Sequence, residues 1–145
     1  YCICQVAAWE RGYRDGTEKM YRLFESARDF NADIIVLRLI ENCPLDEFDA
    51  EVFKAELGKL LTYLNPSGMA KVVITTGFWR HCGDEAIREF AETHDIPLAE
   101  LGDLGETDEM KAIGLFEHEG VANHPGDLGM RKIADRIYEK LEQYL

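Results

Sequence analysis

The sequence predicts one three-layer α/β domain spanning residues 1–145, a parallel sheet held between layers of helices. Three observations predict it. Short apolar runs rich in β-branched residues recur along the chain, and each is followed by a segment with apolar residues at helical spacing. No repeat, low-complexity tract or linker breaks that alternation. Strands that alternate with amphipathic helices join through right-handed crossovers, which set the strands parallel and place helices on both faces.

Taken in order, CICQVAAW (2–9) is an apolar run bounded by the polar ERGYRDG, which suits a buried strand. A helix follows with Met20, Leu23, Phe24 and Ala27 on one face; Asp15 and Thr17 supply a start signal and Glu18 an acidic first turn. DIIVLRL (33–39) is nearly continuous in apolar residues, as a strand covered on both faces should be. Phe53, Leu57, Leu60, Leu61 and Leu64 form one helical stripe, ended by Asn65-Pro66-Ser67-Gly68. AKVVITTGFW (70–79) is the next buried strand. Asp84 is placed to cap a helix carrying Ile87, Phe90 and Ala91, and IPLAEL (96–101) reads as a further short strand. The last helix starts near Asp127 and turns Met130, Ile133, Ala134, Ile137, Leu141 and Leu145 inward.

Composition narrows the function. A chain of 145 residues, 46% of them apolar, is large enough for a core of its own. A net charge of −12 repels phosphate backbones and anionic headgroups, which argues against nucleic acid and membrane surfaces as partners. No apolar run approaches the length of about 20 residues that a membrane-spanning helix needs. Of the four cysteines, Cys2 and Cys4 would point to the same face of one strand at roughly 6.5–7 Å, at or beyond bridge geometry, so free thiols are expected. Paired CxxC spacings are absent, and neither a metal site nor a cofactor is predicted.

In open parallel sheets, ligands bind outside the carboxyl ends of the strands. The segments there are Trp9-Glu10-Arg11, Glu41-Asn42-Cys43-Pro44, Phe78-Trp79-Arg80-His81 and the long aperiodic stretch Gly102–Gly126, which ends in His124-Pro125-Gly126. A stretch that long without secondary structure is usually functional. His124 is either a surface residue beside a helix start or a general base at the sheet's carboxyl edge, since neutral imidazole takes a proton near pH 7. Asn42 is either a turn residue or an amide donor to an oxyanion. Trp9 and Trp79 are either core or rim aromatics, or flat platforms for a sugar ring or acyl group. His81, His94 and His118 read as solvated.

IVLRLIENCP, TTGFW and above all FEHEGVANHPGDLGMRKIADRI resemble the later sequence blocks of the SGNH/GDSL hydrolases, serine esterases and lipases with a flavodoxin-like α/β/α fold. The resemblance runs along nearly the whole chain in the same order. It implies that His124 is the base that activates a serine and that Asn42 donates to the oxyanion. It also implies that a backbone N–H in Ala7-Ala8-Trp9, around Ala8, is the second oxyanion donor. The substrate expected is a carboxylic ester, and the acidic surface and edge tryptophans suit a neutral acetylated carbohydrate.

Two positions depart from the family pattern. The acid commonly found three residues before the histidine is Val121 here, which leaves Glu119, Glu117 or a backbone carbonyl to orient the imidazole. The Gly-Asp-Ser block that carries the nucleophile is absent, and the two serines, Ser26 and Ser67, fall in a helical stripe and in a turn before a strand. On the family topology the missing block belongs to a central strand between CICQVAAW and DIIVLRL. Removing such a strand leaves buried N–H and C=O groups unpaired at about 1–3 kcal/mol each, against a total stability of about 5–15 kcal/mol. An N-terminal segment before Tyr1, or a second chain, is therefore expected to complete the sheet, with the 145 residues inactive alone. A non-catalytic binding domain on the same fold is the rival reading. A receiver domain is not, because Trp9-Glu10 and Glu41-Asn42 do not supply its acidic pair and phosphate-accepting aspartate.

Overall fold

A computed structural model describes residues 1–16 and 18–145, apart from the side chains of 18 and 19. The elements are α1 (Ala7–Gly12), α2 (Glu18–Tyr21), α3 (Glu25–Phe30), β1 (Ile34–Arg38), α4 (Ala50–Leu64), β2 (Lys71–Thr75), α5 (Asp84–Thr93), β3 (Leu98–Ala99), α6 (Glu119–Ala122) and α7 (Asp127–Leu141). Short 3₁₀ turns lie at Tyr13–Asp15, Arg22–Phe24, Leu104–Glu106, Asp108–Met110 and Glu142–Tyr144. The chain is thus α/β, with three parallel strands in the order β1-β2-β3 among the described residues. Ile34 pairs with Lys71 through to Arg38 with Thr75, and Ile74 and Thr75 pair with Leu98 and Ala99.

The longer helices form where the sequence patterns place them. The Asp49 carboxylate accepts from Val52 N at 3.1 Å and starts α4, which buries Phe53, Leu57 and Leu60 completely. At its end the Asn65 side chain both donates to Ala70 O and accepts from Ala70 N, so one carboxamide closes the turn into β2. Residues of α1, α4, α5 and the 3₁₀ turn at Arg22–Phe24 build the larger core on one face of the sheet; Phe78, Leu101, Leu104 and Ile133 build a smaller one under α7. No described helix is long and apolar enough to cross a membrane.

Several expectations are corrected. Residues 2–9 are not a strand: 1–6 have no regular structure and Ala7–Gly12 is helical. A short apolar run is ambiguous by periodicity, and here helix-favouring alanines and the i,i+4 pair Trp9/Tyr13, both buried, decide for the helix. β1 is covered on one face only, because α7 lies over β2 and β3; Leu37 is buried while Val36, on the other face, is 40% exposed. The same limited overlap leaves Met130, Ala134 and Leu145 exposed, with Ile133 buried and Ile137 and Leu141 partly so. Gly83, not Asp84, is the N-cap residue of α5; Asp84 is its first helical residue, and Asp84 Oδ2 accepts from His81 N at 2.9 Å, while α7 starts at Asp127 behind an N-cap Gly126. IPLAEL narrows to Leu98–Ala99. Thr17 of the predicted start signal, and the side chain of Glu18, lie outside the described residues.

Candidate functional site

The segments at the carboxyl ends of the strands meet, and specific contacts hold them together. Asn42 sits in the turn after β1. Its Nδ2 donates to Glu10 Oε2 at 2.7 Å, and its Oδ1 accepts from Arg11 Nη2 at 3.1 Å. Next to it, Glu41 Oε1 accepts from Arg38 Nη2 at 3.1 Å and from Phe78 N at 2.8 Å, which ties the ends of β1 and β2. The turn itself is strained. Ile40 is fully buried at φ 98°, a region a β-branched residue rarely adopts, at a cost of about 1–3 kcal/mol. Its carbonyl accepts from Cys43 N at 3.0 Å. Added bulk at Gly83 would meet Ile40 Cδ1 and the Phe48 ring, so the Ile40 side chain is hemmed in on that side.

His124 lies exposed at the other side of this edge. Its Nδ1 is 2.7 Å from Gly120 O, and a carbonyl only accepts, so the proton sits on Nδ1 and the neutral ring presents Nε2 as an acceptor. The ring meets Trp79 edge-on at 5.1 Å between centroids, and Trp79 Nε1 donates to Asn123 O at 3.3 Å. Phe78 stacks edge-on against Trp79 at 5.3 Å. Contacts therefore run without a break from Asn42's neighbour Glu41 through Phe78 and Trp79 to His124. The backbone holds His124 from both sides: Ala112 N donates to His124 O at 2.9 Å, and Lys111 bridges to Pro125.

The remaining predicted residues distribute as follows. Trp79 is half-buried and in edge-on contact with His124. Trp9 is 1% exposed, packed against Tyr13 and Phe53, so the platform reading is corrected: a ring enclosed in the core offers no face to a ligand. Ala8 is exposed in the first turn of α1, where N–H groups have no carbonyl four residues back. No hydrogen bond among the described residues joins the Glu119 carboxylate to His124; Glu119 contributes its carbonyl, to Asn123 N and Nδ2. Ser26 is exposed on α3, with its Oγ 4.0 Å from Cys4 Sγ, and Ser67 Oγ accepts from Met69 N in its turn. His81 is not simply solvated: Nε2 donates to Cys43 O at 3.1 Å and Nδ1 accepts from Gly83 N at 2.9 Å. His118 Nδ1 accepts from Val121 N at 3.4 Å and caps α6.

Sequence reasoning missed Glu10, Arg11, Glu41 and Ile40. Glu10 is wholly buried, and one of its oxygens, Oε1, has no partner among the described residues; the same holds for the buried Nε of Arg38. Both residues line a cavity of about 590 Å³ that also takes in Ala7, Ala8, Arg11 and Asn42. Glu10 opens the polar stretch ERGYRDG that bounds the apolar run, so no local signal marked it for burial. Below Asn42, burial, with Glu10 and Cys82 adding to it, pushes the Cys43 thiol up to about 12. All four cysteines are free thiols. Comparison with protein-family models, with curated proteins and with solved structures finds no match for this chain.

Proposed function

We propose that this chain is the larger part of a carboxylic ester hydrolase of the SGNH/GDSL type, on a flavodoxin-like sheet whose serine-bearing strand docks along the free edge of β1. The observation that carries the reading is the His124 ring. With Nδ1–H held by Gly120 O, Nε2 is the acceptor that a serine hydroxyl needs in order to lose its proton on attack. The backbone carbonyl does the orienting that an acid does elsewhere, without adding a charge to steady the imidazolium.

Asn42 would then donate its second Nδ2–H to the tetrahedral oxyanion, with an N–H from the first turn of α1, at Ala8, as the other donor. Trp79, beside His124, is the platform for the ester's acyl or sugar part, and an acetylated neutral carbohydrate suits the acidic surface. The outer edge of β1 has no strand beside it among the described residues. Along it runs an apolar groove of about 440 Å³ between Tyr1–Cys4, Phe24, Phe30 and Leu64, room for an extended segment.

A non-catalytic binding domain is the second reading. It is favoured by the fact that the His124 ring also satisfies the Gly120 carbonyl within α6, a purely structural task. The experiment is His124→Ala in the protein carrying a serine segment. Ester turnover should fall by about 10⁴-fold or more with the thermal melt unchanged, and a serine-directed fluorophosphonate should label the wild type. His94→Ala, at the far end of α5, should leave turnover alone. Unaltered turnover in His124→Ala overturns the base assignment, and absence of labelling supports the binding domain.

A further inference from the structure

We infer that Glu10 is a positioning residue that locks the Asn42 carboxamide in one orientation; this rests on the reading of Asn42 as an oxyanion donor. The carboxylate of Glu10 is fully buried, and one oxygen accepts from Asn42 Nδ2 at 2.7 Å while Arg11 Nη2 donates to Asn42 Oδ1 at 3.1 Å. The amide is bracketed by a pure acceptor on one side and a pure donor on the other. Rotating it by half a turn would set its oxygen against a carboxylate and its NH₂ against a guanidinium, so both contacts would turn repulsive. Only one arrangement survives. In it, one Nδ2 hydrogen is used by Glu10 and the other is left to point elsewhere, its direction fixed by the first.

Glu10 is also the residue through which the two proposed donors are held together. It follows Ala8 and Trp9 on α1, and its carboxylate reaches the turn after β1 that carries Asn42. A donor aimed before charge develops needs no reorganisation during the reaction. The second oxygen of Glu10 is buried and has no partner among the described residues, and Glu10 lines the cavity shared with Asn42 and Arg38. A merely structural carboxylate would be expected to have both oxygens satisfied.

The test has two arms. In the 145-residue chain, the two Asn42 side-chain amide protons are followed by ¹⁵N-edited NMR. The wild type should show one of them shifted downfield and exchanging slowly, and Glu10→Leu should abolish the difference, while Glu10→Gln, which keeps an acceptor oxygen, retains part of it. In the serine-carrying protein, Glu10→Leu should lower kcat by up to about 10²-fold with KM within about twofold, and the double variant with Asn42→Ala should be no slower than Asn42→Ala alone. If Glu10→Leu does not fold, Glu10→Gln serves in both arms with a smaller loss. Unchanged amide protons overturn the lock. Additive losses in kcat overturn the positioning role even where the lock exists. A wild type without any turnover removes the esterase reading and the positioning role with it, while the NMR arm still decides whether Glu10 orients Asn42.

Discussion

Supplying a strand to the outer edge of β1 is expected to raise stability and switch on turnover together. β1 has five residues, hence ten backbone groups, of which about half face away from β2. Pairing about five of them at about 1 kcal/mol each contributes about 5 kcal/mol. Three apolar side chains of the incoming strand, seated in the groove beside Phe24, Phe30 and Leu64, contribute about 1.5–3 kcal/mol each. Ordering five residues costs about 1–2 kcal/mol apiece. At mid-range the net is about 4 kcal/mol, or a rise in Tm of about 10–15 °C for a chain of this size. The assay compares the 145 residues with the same chain extended before Tyr1 by a strand and a Gly-Asp-Ser turn, or mixed with that segment as a peptide. Thermal melts and p-nitrophenyl acetate hydrolysis are followed side by side. Esterase activity in the short chain alone, or an extension that leaves both Tm and turnover where they were, refutes the docking of a serine strand at this edge.

Other consequences are open to measurement. Asn42→Ala should lower kcat by about 10²–10³ with KM nearly unchanged, and a loss confined to KM would move Asn42 to ground-state binding. Replacing Ser26 and Ser67 together should leave the extended protein's turnover within a few fold; a larger loss would make one of them the nucleophile. The Cys43 thiol, pushed up to about 12 by burial, stays protonated in the folded chain while the unfolded thiol ionises near pH 8.5. Its stabilising contribution is therefore present below about pH 8.5 and lost between there and about pH 12, at up to about 1.4 kcal/mol per pH unit. Tm should fall across that range less steeply in Cys43→Ala than in the wild type, and parallel slopes would refute it. Tyr21, also raised to about 12, supplies a background common to both proteins. Trp9→Ala should cost about 3–5 kcal/mol, as for a large core aromatic, and a loss under 1 kcal/mol would contradict its place in the core.

The parts of the fold that sequence could reveal are those fixed by local pattern. α4 and β2 carry their own periodicity, caps and breakers, and Asn65 closes the turn between them with a side chain whose role is local. CICQVAAW was misread because apolar content alone does not separate a strand from a helix, and the contacts that decide, Trp9 and Tyr13 against Phe53, span some forty residues. β1 looked like a strand covered on both faces because Val36 and Ile34 are apolar. Whether a helix lies over them depends on where α7 crosses the sheet, which no local pattern encodes.

The candidate site divides along the same line. His124 was legible because a histidine, a proline and a glycine before a helix form a local signal, and its partner Gly120 O lies only four residues back. For the partner of the imidazole, Glu119, Glu117 and a backbone carbonyl all stayed open in the sequence, and the geometry uses the carbonyl of Gly120, a group that every residue possesses and no side chain advertises. Asn42 was legible as a residue following a strand, yet what makes its carboxamide directional is Glu10, thirty-two residues earlier and on a different element. A buried carboxylate is costly unless it is bonded, yet Glu10 stands at the head of a polar stretch and nothing local announces its burial. The first residue of a stretch that looks polar and solvated is the one bonded to the amide, and the strained Ile40 beside that amide marks the same turn.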